Sequence, residues 1–246
     1  LRKGLVVGAA VLLIAVAVGA GAVARSQQDW RSASREPVGL APDPATTDEA
    51  VIQVYGARTV GARGLFGVHT WVAVKPAKAG EYTVYEVTGW KLRWSDSSVS
   101  VRAREPDARW FGAEPSLYAD VRGERAEPLI PRIEAAAASY PFAGEYRAWP
   151  GPNSNTFTAW ITRQVPELRA DLPPTAIGKD YLRGGVFARA PSGSGGQVSL
   201  AGLFALTASS VEGVELNLLG LTFGIDPWPP ALKLPLAGRI GAPSAP

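Results

Sequence analysis

The chain contains a single histidine, His69, and no cysteine. Imidazole proton transfer must therefore run through His69, and thiol nucleophiles, disulfides, zinc–thiolate sites and iron–sulfur clusters are excluded at once. His69 lies in the run V-H-T-W-V-A-V, where alternation places it with Trp71 and Ala73 and turns Val68, Thr70, Val72 and Val74 to the other face. The second polar constellation is Trp149-Pro-Gly-Pro-Asn-Ser-Asn-Thr-Phe157, in which a Pro-Gly-Pro turn feeds Asn153, Ser154 and Asn155 directly into a helical pattern. A helix start offers unpaired N–H groups and the positive end of a dipole, so a nucleophile there sits beside donors suited to a developing oxyanion. Serine needs a base, and the base needs a partner to orient it. One candidate site follows. Ser154 is the nucleophile, His69 the general base, and Glu86, on the next hairpin strand, the orienter. The N–H groups of Ser154 and Asn155 supply the oxyanion hole, and Asn153, Asn155, Trp71 and Trp149 are the substrate-binding or oxyanion candidates. Tyr85 replaces Glu86 if the register moves by one residue. Each of these residues also has a plain structural use: Asn153 or Ser154 as a helix cap, His69 as a half-buried strand residue, Glu86 as a partner for a surface Lys or Arg.

The elements that must hold these residues are legible from period and punctuation. Ala50–Tyr55, Gly67–Lys75, Glu81–Leu92 and Ser97–Arg104 are β-branched or aromatic runs bounded by turn residues, and they predict an antiparallel meander. Pro76–Gly80 is a short hairpin connection between the second and third. Ala126–Tyr140 changes to helical period, with Pro131 in its first turn and Pro141 just past its end. Asn155–Val165 predicts a second helix, with Phe157, Trp160 and Ile161 on one face. Residues 185–224 alternate apolar and small residues around glycine turns and predict further strands. Glu212 and Glu215 interrupt the apolar stretch Val198–Gly224, which argues against a membrane span there. The expected architecture is α+β, an antiparallel sheet with two packed helices.

The N-terminal region has a different character. Gly4–Ala24 is a charge-free run of apolar and small residues, preceded by Arg2-Lys3 and followed by Arg25. As a helix it is about 30 Å long, the thickness of a bilayer core. It predicts either an uncleaved signal anchor or a secretory signal cut after Ala22-Val23-Ala24, and in both cases everything from Arg25 onward is exported. The expected organisation is a membrane anchor or signal segment at 1–24, a linker at 25–47, an exported α+β domain at 48–225 and a Pro-rich tail at 226–246. The net charge is only +3, and Arg2 and Lys3 supply two of those charges. Such a balance does not make a nucleic-acid surface. No metal site and no cofactor is expected. The five tryptophans Trp71, Trp90, Trp110, Trp149 and Trp160 either line a groove or fill a core.

Two resemblances bear on the fold and the site. The order of a strand histidine followed by N-S-N-T-F at a helix start resembles the circularly permuted papain-like proteins, which include the permuted NlpC-type and PPPDE-type peptidases. That resemblance implies a permuted papain-like fold in which His69 matches the base and Ser154 stands where the family has its cysteine. Asn153 and Asn155 match the flanking asparagines, and Phe157 the buried aromatic. The strings I-Q-V-Y-G-A-R-T, F-G-V-H-T-W-V-A-V-K-P, Y-T-V-Y-E-V-T-G-W and W-P-G-P-N-S-N-T-F resemble a bacterial membrane-associated family, the domain-of-unknown-function family 3750, from about Ile52 to Tyr181. This implies a single N-terminal transmembrane helix in the bacterial inner membrane, with a cytoplasmic N-terminus, and no defined activity. Together the residues and the resemblances give two expectations. One is a cell-envelope Ser/His hydrolase or acyl transferase acting on an envelope peptide, lipid or glycan. The other is a non-catalytic, membrane-tethered binding or structural module with a degenerate papain-like site.

Overall fold

Three runs rich in β-branched and aromatic residues form the centre of one sheet because each presents apolar residues to a layer on either side, and two largely exposed strands complete its edges. The structure, a computed structural model, describes residues 30–242. The expected anchor or signal segment at 1–24 lies outside the described residues, as do the last four residues of the expected tail. The sheet contains β1 (Val51–Arg58), β2 (Val68–Lys75), β3 (Thr83–Val87), β4 (Val99–Ala103) and β5 (Ser116–Arg122), in the order β4-β3-β2-β1-β5. All neighbours are antiparallel. On one face Ile52, Val54, Val72, Val74 and Tyr85 meet α1 (Ile130–Ala138) and α2 (Ser154–Gln164), which contribute Ile133, Phe157 and Ile161. On the other, Val51, Tyr55, Trp71, Ala73 and Val84 form a second core with Tyr82 and Trp110. The chain is thus α+β, with antiparallel sheets and two helices, as the periodicity predicts.

Three stretches differ from expectation, each for a local reason. β5 was not anticipated, because S-L-Y-A-D-V-R carries only a short alternation; it is an edge strand that pairs with β1 across a register shift between Val54 and Tyr55. The third predicted strand stops at Val87 and continues as a 3₁₀ turn over Gly89–Arg93. Gly89 lies so close to the Tyr146 ring that a Cβ there would approach it to 2.5 Å. The expected linker, in its described part, is a strap over the second core. The Asp107 carboxylate accepts from the N–H groups of Leu40 at 2.6 Å and Ala41 at 3.2 Å, the Tyr82 hydroxyl donates to Pro42 O, and the buried Lys75 ammonium donates to Thr47 O.

Residues 187–241 form a second sheet of seven strands in sequence order: β6 (Phe187–Arg189), β7 (Gly195–Leu200), β8 (Phe204–Ser209), β9 (Gly213–Leu218), β10 (Leu221–Pro227), β11 (Pro230–Leu234) and β12 (Gly238–Gly241). Asp226–Pro246 is therefore not a tail through its described length, because β11 and β12 extend the meander by hairpin pairing. This sheet turns its polar residues inward. Register aligns Gln197, Thr207, Glu215, Gly224, Lys233 and Arg239 in one row facing the body of the protein. There Lys179 Nζ lies 2.5 Å from Glu215 and 3.1 Å from Asp180, while Lys233 Nζ lies 2.5 Å from Asp171 and 2.9 Å from Glu215. Arg239 joins Asp171 and Asp226 at 3.1 and 2.7 Å. Charges this deeply buried hold only while every partner is present. Among the described residues no helix is long and apolar enough to cross a membrane.

Removing Lys233 leaves its two buried carboxylates, Asp171 and Glu215, with one cation each, Arg239 and Lys179, and the buried cluster short of a positive charge. Lys233→Met is expected to cost about 3–5 kcal/mol, read by denaturant unfolding of the full chain, whereas Lys78→Met on the exposed β2–β3 turn should change stability by less than about 0.5 kcal/mol.

Candidate functional site

The start of α2 is fixed by its asparagines. Asn153 is the N-cap: its side-chain oxygen accepts from the N–H groups of Asn155 at 2.9 Å and Thr156 at 3.2 Å, and Thr156 Oγ1 accepts back from the Asn153 N–H. The Asn153 amide donates to Ala148 O and Ile177 O. Asn155 reaches across to the sheet, donating to Val68 O at 3.0 Å and to Ile177 O at 2.8 Å, while its oxygen accepts from the Thr70 hydroxyl. Those strand residues flank His69. The two carboxamides therefore bolt the helix start, the 176–178 loop and β2 into one unit.

Between these bolts Ser154 and His69 line one cavity of about 320 Å³, together with Thr88, Trp90, Trp110 and Trp149. His69 lies on the sheet face opposite α2, beside Trp71 as alternation requires. It reaches the cavity because the β2–β3 pairing runs only from Val74↔Thr83 to Val72↔Tyr85 and opens before His69. The Ser154 hydroxyl makes no hydrogen bond to His69. Its backbone oxygen accepts from Thr70 Oγ1.

The imidazole is held on two sides. Trp110 stacks on it with ring centroids 3.7 Å apart and planes inclined by 14°, and Trp90 stacks on Trp110. His69 Nε2 lies 2.9 Å from Glu86 Oε2, and Glu86 is fully buried. Arg102 contacts the other carboxylate oxygen at 3.0 Å, and Arg104, 3.7 Å away, lies over the Trp71 ring. Burial pushes the His69 pKa below its ordinary 6.5, more than the Glu86 contact raises it. Burial alone would raise Glu86, but the His69 hydrogen bond and the nearby His69 and arginine charges outweigh it and hold the carboxyl at about 2. The pair thus rests at neutral pH as an imidazole whose Nε2–H donates to a carboxylate, leaving Nδ1 with a lone pair and no protein partner.

The residues singled out in the sequence divide into groups. His69, Asn153, Ser154, Asn155 and Trp149 line the cavity, and Glu86 stands directly behind His69. Trp71 does not line it: the side chain is fully buried in the second core and its indole N–H donates to Pro106 O. Tyr85 faces the helices, where its hydroxyl meets Glu134. Of the two proposed oxyanion donors, the Asn155 N–H is taken by the cap, so Ser154 N–H is the donor left at the helix start. Trp149 forms the rim and its indole donates to Leu219 O in the β9–β10 turn. Of the tryptophans expected to line a groove or fill a core, Trp90 and Trp110 line the cavity with Trp149; Thr88 and the two arginines carry no local signal, since nothing in the sequence brings residues 102–110 to His69 until the strands pair.

Two expectations follow. A Cβ on Gly178, whose φ is +97°, would come within 2.4 Å of the Asn153 amide; Gly178→Ala is therefore expected to cost about 1–3 kcal/mol and to loosen the helix start, measured by thermal unfolding and by hydrogen exchange of the Asn155 and Thr156 amides. Both pKa values are lower folded than unfolded, so the unfolded chain binds more protons and stability is present at higher pH and lost as pH falls. The His69 part goes below its ordinary 6.5 and the Glu86 part between 4.5 and about 2. The stability difference between wild type and Glu86→Gln should shrink through that lower window in denaturation series across pH.

The family model described as Protein of unknown function (DUF3750) matches residues 49–181, a span that includes the five-stranded sheet, both helices, His69, Glu86 and Ser154, and stops before the seven-stranded sheet. No curated protein and no solved structure matches the chain. On more than half its length, the chain belongs to the DUF3750 family.

Proposed function

We propose that the protein is an exported, membrane-tethered hydrolase or acyl transferase acting on an amide or ester of the cell envelope. Ser154 is the nucleophile, His69 the base through Nδ1, and Glu86 the orienter. The observation that carries this reading is that His69 Nε2 is committed to a buried carboxylate while His69 and Ser154 line the same cavity, which leaves Nδ1 as the ring nitrogen for a base. In the first step the Ser154 Oγ–H bond breaks, its proton passes to Nδ1, and Oγ bonds to the acyl carbon. The negative charge on the former carbonyl oxygen is met by the Ser154 N–H and the helix dipole. The tetrahedral centre then expels its amine or alcohol, which takes the proton from Nδ1. Water, or an acceptor nucleophile in the transferase case, repeats the sequence to release the acyl group. A neutral imidazole is the state this chemistry needs, and hydrogen bonds between nucleophile and base commonly tighten only around bound substrate. The order of a strand histidine and then a helix-start nucleophile is the basis for attaching the permuted papain-like frame to this reading. The tether is residues 4–24, with the body on the far side of the inner membrane.

A second reading is favoured by one observation, the lack of a Ser154–His69 hydrogen bond within a cavity walled by tryptophans. In that case the cavity binds its ligand without cleaving it.

The test is labelling of the full chain in membranes with a serine-directed fluorophosphonate. Wild type should label, Ser154→Ala should not, and His69→Gln should label at least ~100-fold more slowly. Because the His69 pKa is depressed, labelling should persist as the pH drops below 6.5. A folded wild type that never labels, and whose tryptophan emission nevertheless responds to envelope amides or esters, establishes the binding module instead.

A further inference from the structure

The seven-stranded sheet has an outer face that its inner face makes conspicuous. With the polar row turned inward, register brings Leu206, Leu216 and Phe223 into one outward row and Val214, Ile225 and Leu232 into the next. Most of these side chains are exposed, Val214 by 55% and Ile225 by 61%. Among the described residues the only charged side chain the register places on this face is Arg189, on the edge strand β6. Phe187, Leu200, Phe204, Leu218, Leu221 and Ile240 extend the same face and are exposed as well; taking about half of a roughly 150–200 Å² residue at each of these twelve positions, the face presents on the order of 1,000 Å² of apolar surface. That exceeds the largest patch of a typical monomer, about 300–600 Å², and passes the ~800 Å² that each partner contributes to a standard stable interface.

We propose that this face is the interface of a two-fold dimer, in which the seven-stranded sheets of two copies pack face to face. The chemistry of the face selects this occupant over a bilayer. Its rows are aliphatic and β-branched with scattered phenylalanine, which is the composition of a sandwich interior. A membrane-surface face would carry several Lys and Arg, whereas this one has Arg189 alone, although the exposed Trp228 stands at its margin in the β10–β11 turn. An open sheet cannot sink into hydrocarbon either, because the unpaired backbone groups of its edges would go unsatisfied. Those edges are short, three residues in β6 and four in β12, so lateral strand addition is blunted and growth beyond two copies is not favoured. A face-to-face contact is isologous: it closes on itself and covers the whole apolar area at once. The residues removed from water are the outward ones only, so the charge network beneath is undisturbed.

The absence of cysteine from the chain makes the test direct. Single cysteines are placed in the full-length protein in native membranes, as Leu206→Cys, Val214→Cys and Ile225→Cys at the centre of the face, with Glu124→Cys on the exposed turn before α1 as control. The expected result is a covalent dimer with a bis-maleimide of about 10 Å span, the distance between stacked sheets, from at least one central position and not from the control. Water-soluble maleimide should label the central cysteines at least ~10-fold more slowly than the control. Fast labelling at all three central positions overturns the proposal. So does protection without a covalent dimer, which assigns the face to lipid or to a segment of the chain outside residues 30–242; quenching of a fluorophore on Val214→Cys by brominated lipid separates those two. Val214→Lys, whose charge points outward and leaves the inner network intact, should convert a dimer to a monomer on native gels, and unchanged migration would also overturn the proposal.

Discussion

Everything at the candidate site depends on two carboxamides. Asn153 and Asn155 are each saturated with hydrogen bonds, and their partners lie on three separate stretches: Ala148, the Ile177 loop and β2 at Val68 and Thr70. A buried amide left without partners is costly, so the arrangement forms as a whole or not at all. It places the first residue of α2 beside the open end of β2 and thereby puts a hydroxyl and an imidazole from opposite sides of a sheet into one cavity. The same saturation removes the asparagines from direct chemistry. They fix where the Ser154 hydroxyl and the His69 ring stand, and the cap leaves the Ser154 N–H unclaimed by Asn153.

The first sheet and its helices were legible because each obeys a local period. V-H-T-W-V-A-V alternates without interruption, and the turn at Pro76–Gly80 sets Glu86 on the same face as His69. The start of α2 was marked by asparagine after a proline turn. What surrounds His69 was not legible. Trp110, Arg102 and Arg104 arrive through the β3–β4 pairing and the loop beyond it, and no spacing along the chain announces such contacts. The strap over 30–47 is not legible for the opposite reason: its proline-rich sequence has no period of its own and is held by the side chains of Asp107, Tyr82 and Lys75.

The seven-stranded sheet shows what alternation alone leaves open. V-E-L-N-L and L-T-F-G-I-D state plainly that one face is polar and the other apolar, but not which one is turned toward the body. The usual assumption buries the apolar face. Here the choice is made by Lys179, Asp180 and Asp171, which are themselves buried and need partners that only the polar rows provide. Satisfying charge inside leaves grease outside. The family match ends at residue 181, so this sheet and the face it displays lie beyond the portion that the family model describes.

The strap enters the described residues at Trp30, whose ring meets Phe111 edge-on with centroids 6.4 Å apart; Phe111 meets Trp110 at 5.0 Å, and Trp110 lies flat on His69. Four rings thus run in unbroken contact from the N-terminal path to the imidazole. A displacement of Trp30 is a load on that column, and the side wall of the histidine is its last member. In mechanical terms, the first described residue and the pocket share one strut, so the position of Trp30 and the posture of the imidazole are not independent variables.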